Sequence, residues 1–212
     1  MFLRKAVIKM KKSVYSLVLS DSVVDAIDRR AAMMNTSRSN LINQVLAEYA
    51  SMTTPEKRMN EIFRMMKISI SPYDNLQVLD MLSDSMMALK STLKFKYNPT
   101  VKYTVELYRN TAEAIGQLKV TLRTQNRALI DGINAFFTLW AELEGISHKY
   151  YSIGDGRYTR IFIASPNTSD KQIADHITSY VKGLDMCLKE FFKYIENPIV
   201  ARKAVINLYN QL

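Results

Sequence analysis

The stretch SVYSLVLSDSVVDAIDRRAAMMNTSRSNLINQVLAEYAS, residues 13–51, decides the fold expected for the N-terminal region. Its first part reads as a strand, in which alternate side chains point to opposite faces. One row consists of Tyr15, Leu17 and Leu19, and the other of Val14, Ser16 and Val18. Both rows are largely apolar, so at least one of them must be covered. The pattern therefore predicts a strand, Val14–Ser20, that needs a partner.

Two helices are predicted after this strand. Ser20 is an N-cap residue type, and apolar residues then recur at spacings of three and four as far as Met34. Asn35 tolerates the left-handed conformation that ends helices, and Ser37 is a second N-cap ahead of an apolar stripe that reaches Tyr49. The expected order is strand, helix, turn, helix.

A single strand with two short helices cannot close a core on its own. The strand leaves its hydrogen-bonding edges open, and nothing covers the apolar stripes of the helices. Pairing the strand with a second copy of itself solves both problems. The sequence thus predicts a homodimer through strand Val14–Ser20, with a two-stranded antiparallel ribbon and four packed helices.

The run from Lys12 to Ser51 resembles the ribbon-helix-helix DNA-binding proteins, the Arc/MetJ/CopG-like repressors. The matching features are the strand that ends at Leu19-Ser20, the Asn35-Thr36 turn and the sequence SRSNLI that follows it. This resemblance implies double-stranded DNA as the partner, with the paired strands in the major groove.

The resemblance also implies which residues contact DNA. The outward row of the strand faces the base edges: Lys12, Val14, Ser16 and Val18. The start of the second helix and the basic arm contact phosphates: Ser37, Arg38, Ser39, Lys9 and Lys11. Valine cannot form hydrogen bonds, but it can contact the thymine methyl group. In the alternative interpretation the valines only suit a strand and discriminate bases poorly.

Composition favours an anionic partner. The net charge is +9, which points to nucleic acid or a membrane surface without choosing between them. No apolar run reaches the roughly 18–20 residues that cross a bilayer, so we expect no membrane partner and a cytoplasmic, nucleoid-associated protein. Cys187 is the single cysteine, which excludes an intrachain disulfide and agrees with a reducing compartment.

The predicted fold class is mainly α: an N-terminal ribbon-helix-helix followed by a mostly helical C-terminal domain with one β-hairpin. A hairpin is expected around Gly154-Asp155-Gly156, and helices are expected from Pro55, from Leu76 to Leu93 and from Val101 toward Gly145, with two more near 169–196 and 198–211. The predicted regions are a basic arm (1–12), the ribbon-helix-helix domain (13–52), a connecting helix or linker (53–70) and the C-terminal domain (71–212).

The sequence contains no motif typical of an enzyme. His148, His176 and Cys187 do not have metal-ligand spacing, and no phosphate-binding loop, nucleophile elbow or carboxylate pair is present, so neither catalysis nor a cofactor is expected. The expected function is a dimeric DNA-binding transcriptional regulator, whose C-terminal domain senses a small molecule, binds a protein or assembles dimers. Two alternatives stay open: a plasmid partition, relaxosome or chromosome-maintenance DNA-binding protein, and an antitoxin-like protein-interaction module.

Overall fold

The chain divides into two structural units, Met1–Arg58 and Met59–Leu212. The structure is a computed structural model that describes residues 14–50, 52, 54–79, 83–109, 114–165 and 167–212. The predicted basic arm, residues 1–12, lies outside the described residues.

The helices expected in the N-terminal region are present. Helix α1 is Asp21–Met33, α2 is Arg38–Tyr49 and α3 is Pro55–Ile70. Helix α3 starts where the Thr-Pro pair predicts, because Thr54 Oγ1 accepts a hydrogen bond from the Lys57 N–H at 3.2 Å and proline suits the first helical turn.

The strand predicted at Val14–Ser20 is wrong for the single chain. These seven residues, here called the N-terminal segment, have neither helical nor strand structure, and every one of them is exposed. A β-strand exists through hydrogen bonds to a neighbouring strand, and none of the described residues pairs with this segment. The described part of the first unit is therefore helical.

The second unit contains a six-stranded antiparallel sheet. Its strands are β1 Gln77–Val78, β2 Met86–Thr92, β3 Thr100–Leu107, β4 Gly116–Leu122, β5 Tyr151–Gly154 and β6 Arg157–Phe162. They lie in the order β1-β2-β3-β4-β6-β5. The first four strands pair in chain order, each with the next, so most of the sheet is a simple meander.

The helices predicted from Leu76 to Leu93 and from Val101 onward are wrong as far as residue 122. Val101 and Val105 are four residues apart, a spacing that a helix and a strand both allow. The residues between them decide for the strand, because Tyr103 is apolar while Lys102 and Thr104 are polar. Burial follows this two-residue period through β3 and again through β4.

The predicted fold class is therefore corrected. The described residues contain six α-helices together with a six-stranded antiparallel sheet, which makes this a mixed α/β fold. It is neither a mainly α protein with a single hairpin nor, within one chain, a ribbon-helix-helix.

Three of the helices predicted in the second unit are present, each shorter than its predicted range. They are α4 Arg127–Glu144, α5 Asp170–Lys193 and α6 Pro198–Tyr209. Asn126 and Asn197 cap α4 and α6 through their side chains. Helix α5 begins with a capping box, in which Ser169 and Gln172 satisfy each other's backbone N–H groups.

The hairpin predicted at Gly154-Asp155-Gly156 is present as the β5–β6 edge of the sheet. Asp155 and Gly156 have φ of 48° and 70°, as the two central residues of a type I′ turn require. Gly154 pairs with Arg157 across the turn, which sets the register of the two strands. The turn chemistry in the sequence thus identified the turn, although the hairpin belongs to a larger sheet.

One face of the sheet is apolar and buried. We call it the covered face, and its side chains form one core with residues 59–70 of α3 and with α4, α5 and α6. Its buried large side chains include Met87, Leu89, Tyr103, Val105, Leu118, Val120, Tyr158 and Phe162. The side chains that alternate with these form the open face, which is polar over most of its area.

A buried carboxylate joins α5 to the sheet. Asp185 accepts hydrogen bonds from Tyr103 Oη at 2.9 Å and Tyr73 Oη at 3.3 Å, and Lys189 Nζ lies 2.8 Å from it. Because every contact is with a donor, the carboxylate is buried without an unpaired charge. Burial and the Asp185 charge raise the pKa of Tyr103 well above its usual range and the pKa of Tyr73 to about 12.

A second buried carboxylate joins α4 to the sheet. Glu144 accepts hydrogen bonds from Tyr180 Oη at 2.6 Å, Tyr158 Oη at 2.8 Å and Arg160 Nε at 3.0 Å. Trp140 Nε1 donates in turn to Tyr180 Oη at 2.7 Å. Burial and then the Glu144 charge raise the pKa of Tyr158. The two carboxylates thus hold helices on the covered face through directional contacts as well as apolar packing.

Two simpler sequence expectations concern membranes and the cysteine. Among the described residues, no helix combines the length and the apolar character needed to cross a membrane. Cys187 is a buried free thiol on α5, and burial followed by the Glu190 charge raises its pKa to about 12. It packs as a small apolar residue in the core.

We expect Tyr103→Phe to lower the free energy of unfolding at pH 7 by about 1.5–3 kcal/mol, because buried Asp185 loses a hydrogen-bond donor. Tyrosines in the unfolded chain ionise near pH 10, whereas Tyr103 stays protonated in the fold, so wild-type stability falls as pH rises above about 10. Urea denaturation at pH 7 and pH 11 measures both effects, and the decline should be smaller in the variant.

Tyr97→Phe is the matched control. Tyr97 is 88% exposed, so the change should alter the free energy of unfolding by no more than about 0.5 kcal/mol. Equal effects of the two substitutions would contradict the role given to Tyr103.

Candidate nucleic-acid interface

The two helices of the first unit are joined by a tightly defined turn. Asn35 has φ of 51°, and the N–H groups of Asn35 and Thr36 donate to the carbonyls of Ala32 and Ala31 at 3.1 and 2.9 Å. This pair of hydrogen bonds is a Schellman motif, which asparagine supports because it adopts the left-handed conformation at low cost. The helix end predicted at Asn35 is confirmed.

Helix α2 begins with a side-chain cap. Ser37 Oγ accepts a hydrogen bond from the Asn40 N–H at 3.2 Å, and Asn40 Nδ2 donates to Thr36 Oγ1 at 2.8 Å. Both contacts restrain the turn relative to the first turn of α2. The N-cap predicted at Ser37 is therefore confirmed.

Arg38 links α2 back to α1. Its guanidinium makes two hydrogen bonds to the Asp28 carboxylate, one of them from Nε to Oδ1 at 2.6 Å. This hydrogen bonding lowers the pKa of Asp28 and raises the pKa of Arg38. Both side chains are about half exposed, so an external anion has access to Arg38 but must compete with Asp28 for it.

The three phosphate-contact candidates of α2 lie together in its first turn. Ser39 is exposed, and the backbone N–H groups of Arg38 and Ser39 have no acceptor among the described residues. These groups carry the positive end of the helix dipole. The Ser37 hydroxyl serves as the N-cap, and free N–H groups at the start of a helix can bind an anion.

The base-contact candidates lie on the N-terminal segment as far as the structure describes them. Val14, Ser16 and Val18 are exposed, as the prediction for an outward row requires. The opposite row is also uncovered, with Tyr15 at 82% and Leu17 at 60% exposure. The remaining candidates lie outside the described residues: Lys9, Lys11 and Lys12.

Charge in the first unit is concentrated at its N-terminus. Residues 14–58 contain five basic and five acidic side chains and are formally neutral. Residues 1–12 contain five basic side chains and no acidic one. Any electrostatic attraction of this unit for a polyanion therefore depends on the arm, residues 1–12.

The first unit buries very little apolar surface in a single chain. In α1 and α2 the buried side chains are Ala31 and Leu41. Large apolar side chains on both helices are exposed: Val23, Met33, Met34, Val45, Leu46 and Tyr49. Large apolar side chains exposed close together are a feature that often marks an interaction site.

The described residues of the second unit contain no cluster of metal-binding side chains. No group of three or more His, Cys, Asp or Glu side chains there is placed to hold a metal ion. An open cleft of about 440 Å³ lies beside the first turn of α5, with Ile173, His176 and Ile163 among its lining residues. The predicted small-molecule or protein partner of residues 71–212 stays a prediction.

Sequence reasoning missed the basic residues of the open face: Lys90, Lys102, Lys119 and Arg157. The signal was the strict alternation of KYTVEL and GQLKVTL, which places these polar side chains on one side of neighbouring strands. Treating these segments as helices spread the same side chains around helix surfaces and hid their grouping.

Comparison with protein-family models, with curated proteins and with solved structures finds no significant match for the chain. The resemblance of residues 12–51 to the ribbon-helix-helix family therefore depends on the sequence pattern alone.

We expect Ser37→Ala to destabilise α2 by about 1 kcal/mol, because the Asn40 N–H loses its acceptor. Amide hydrogen exchange in the first turns of α2 should become about fivefold faster, the equivalent of that energy.

Ser39→Ala is the control, since Ser39 is exposed on the same turn and alanine is the better helix former. Exchange in α2 should be unchanged or slower in this variant. If Ser37→Ala behaved in the same way, the capping hydrogen bond would not stabilise the helix.

Proposed function

We propose that this protein is a transcriptional regulator that binds double-stranded DNA as a homodimer through its first unit. The observation that carries the proposal is the exposure of the N-terminal segment together with the apolar sides of α1 and α2. A unit this small, with Ala31 and Leu41 as its buried helical side chains, needs a partner to form a core.

A second copy of the same segment is the partner that satisfies the most groups at once. Antiparallel pairing of two N-terminal segments would satisfy backbone groups that have no acceptor or donor among the described residues. It would also bring Tyr15, Leu17 and Leu19 of each chain against the exposed apolar side chains of the helices. Homodimerisation through Val14–Ser20 follows from these two requirements.

The opposite row of the paired segments is then free to meet DNA. The major groove admits a two-stranded ribbon, and Lys12, Val14, Ser16 and Val18 would face the base edges there. Val14 and Val18 suit thymine methyl groups, while Ser16 and Lys12 supply hydrogen bonds. Such a protein would work in the cytoplasm, associated with the nucleoid.

Phosphate contacts would come from two places. The first turn of α2 presents the free N–H groups of Arg38 and Ser39, with Ser37 at the same turn and the Arg38 side chain in competition with Asp28. The arm adds Lys9 and Lys11. These contacts would position the dimer on the duplex, whereas the strand residues would select the sequence.

The dimer is tested by a pair of substitutions on neighbouring residues that face opposite ways. Leu17→Asn removes two buried leucines from each dimer, about 3–6 kcal/mol, and should weaken dimerisation more than a hundredfold. Sedimentation equilibrium at micromolar concentration should then show monomers. Val18→Asn should remain dimeric and instead change which sequences are selected from a random duplex library.

A wild-type chain that stays monomeric at tens of micromolar would disprove the dimer. A larger loss of dimer in Val18→Asn than in Leu17→Asn would show that the two rows have been assigned to the wrong sides.

The role of the arm is tested by the salt dependence of DNA binding. Lys9→Gln with Lys11→Gln should reduce the slope of log affinity against log salt by about 0.9 for each phosphate that is no longer neutralised, about 1.8 for each chain. Fluorescence anisotropy with a labelled duplex measures the slope. The control is Lys171→Gln with Lys203→Gln on α5 and α6, which removes the same charge and should leave the slope unchanged. Equal slopes in the wild type, the arm variant and this control would contradict the role of the arm.

A further inference from the structure

Four basic side chains lie on the open face of the sheet, each on a different strand. They are Lys90 on β2, Lys102 on β3, Lys119 on β4 and Arg157 on β6. These four strands are neighbours in the sheet, and their registers place Lys90 opposite Lys102 and place Thr121 opposite both Lys102 and Arg157. The four therefore form one basic band across the sheet, which we call the basic band.

The charges of the basic band are not neutralised within the described residues. None of the four side chains forms an ion pair or a side-chain hydrogen bond there, and the acidic side chain on this face, Glu106, accepts a hydrogen bond from Gln117 Nε2 at 2.6 Å. Six basic side chains elsewhere in the second unit pair with carboxylates: Arg64, Arg127, Arg160, Lys189, Lys193 and Arg202.

The pairing of Lys90 with Lys102 is unfavourable for the free protein. Side chains of like charge directly opposite one another on paired strands destabilise the sheet. Both lysines are half-buried, so solvent screens their charges less than it screens the exposed charges of Lys119 and Arg157. An anion bound between them would remove this repulsion.

The side chains between the basic residues match phosphate rather than bases. Thr104, Thr121 and Thr159 lie on the same face and supply hydroxyl donors. Within the four strands the open face holds no aromatic side chain, whereas single-strand binding proteins use aromatic residues to stack bases. Tyr108, which follows β3 two residues after Glu106, is half-buried. The three gaps between these strands span about 14 Å, the length of roughly four base pairs along the axis of a duplex.

We propose that the open face binds the phosphates of double-stranded DNA without regard to sequence. This would be a second DNA contact, in addition to the one proposed for the first unit. This inference rests on the proposed function for its choice of DNA as the polyanion. Charge complementarity carries it: four unneutralised basic side chains with hydroxyl donors between them, on strands that place no aromatic side chain on this face.

The experiment uses the full chain and a labelled 30-base-pair duplex of arbitrary sequence. Lys102→Gln with Lys119→Gln should reduce the slope of log affinity against log salt by about 1.8 for each chain, because two phosphates are no longer neutralised. The matched control is again Lys171→Gln with Lys203→Gln on the helical layer, and its slope should equal that of the wild type. Thermal unfolding should show that the sheet variant is at least as stable as the wild type, since one like-charge pair is relieved.

An unchanged slope in the sheet variant would overturn the inference, as would an equal reduction in the helical control. Weaker binding to phosphatidylserine vesicles with unchanged DNA binding would also overturn it, in favour of a membrane surface.

The arm variant, Lys9→Gln with Lys11→Gln, separates this inference from the proposed function. A reduced slope in the arm variant alone supports the proposed function and rejects the sheet contact. A reduced slope in the sheet variant alone supports the sheet contact and rejects the phosphate contacts proposed for the arm.

Discussion

The apolar face of the six-stranded sheet is the constraint on which the second unit depends. Strands β2 to β6 direct every second side chain to that face. Because most of these side chains are large and apolar, they must be covered to be removed from water. Helices α3 to α6 cover it, and the burial of residues 59–70 of α3 in the same core explains why that helix is more than a linker. Because all the helices lie on one side, the other face is left to polar and basic side chains.

Two buried carboxylates add direction to this packing. Asp185 reaches Tyr73 and Tyr103, and Glu144 reaches Tyr158 and Tyr180, so α5 and α4 are each held at one position on the sheet. Apolar contact alone tolerates sliding, whereas a buried carboxylate that loses its donors leaves a charge without compensation. The raised pKa values of these tyrosines result from their burial and from the charge of the carboxylate that each one contacts.

The first unit differs from the second because its helices form without a core inside one chain. Its helices have well-formed ends, with the Schellman motif at Asn35 and the cap at Ser37, yet they bury almost no apolar surface within one chain. Capping and turn interactions therefore specify these helices, although a single chain does not supply an apolar core for them. In the proposed dimer the second chain would supply that core, and the uncompensated charge of residues 1–12 would supply the attraction for DNA.

The sequence by itself determined the features that depend on neighbouring residues: the starts of α1, α2, α3, α5 and α6, the end of α1, the cap at Ser37 and the D-G turn at Asp155-Gly156. Caps and turns are local interactions, so a short window contains their cause. Only the tertiary structure decided that β1 to β4 form in place of the two helices predicted from Leu76 and from Val101, because a spacing of four fits both a helix and a strand and the choice depends on distant partners. For the same reason it left Val14–Ser20 without strand structure in a single chain and gathered Lys90, Lys102, Lys119 and Arg157 on one face, since strands exist and align only through their neighbours.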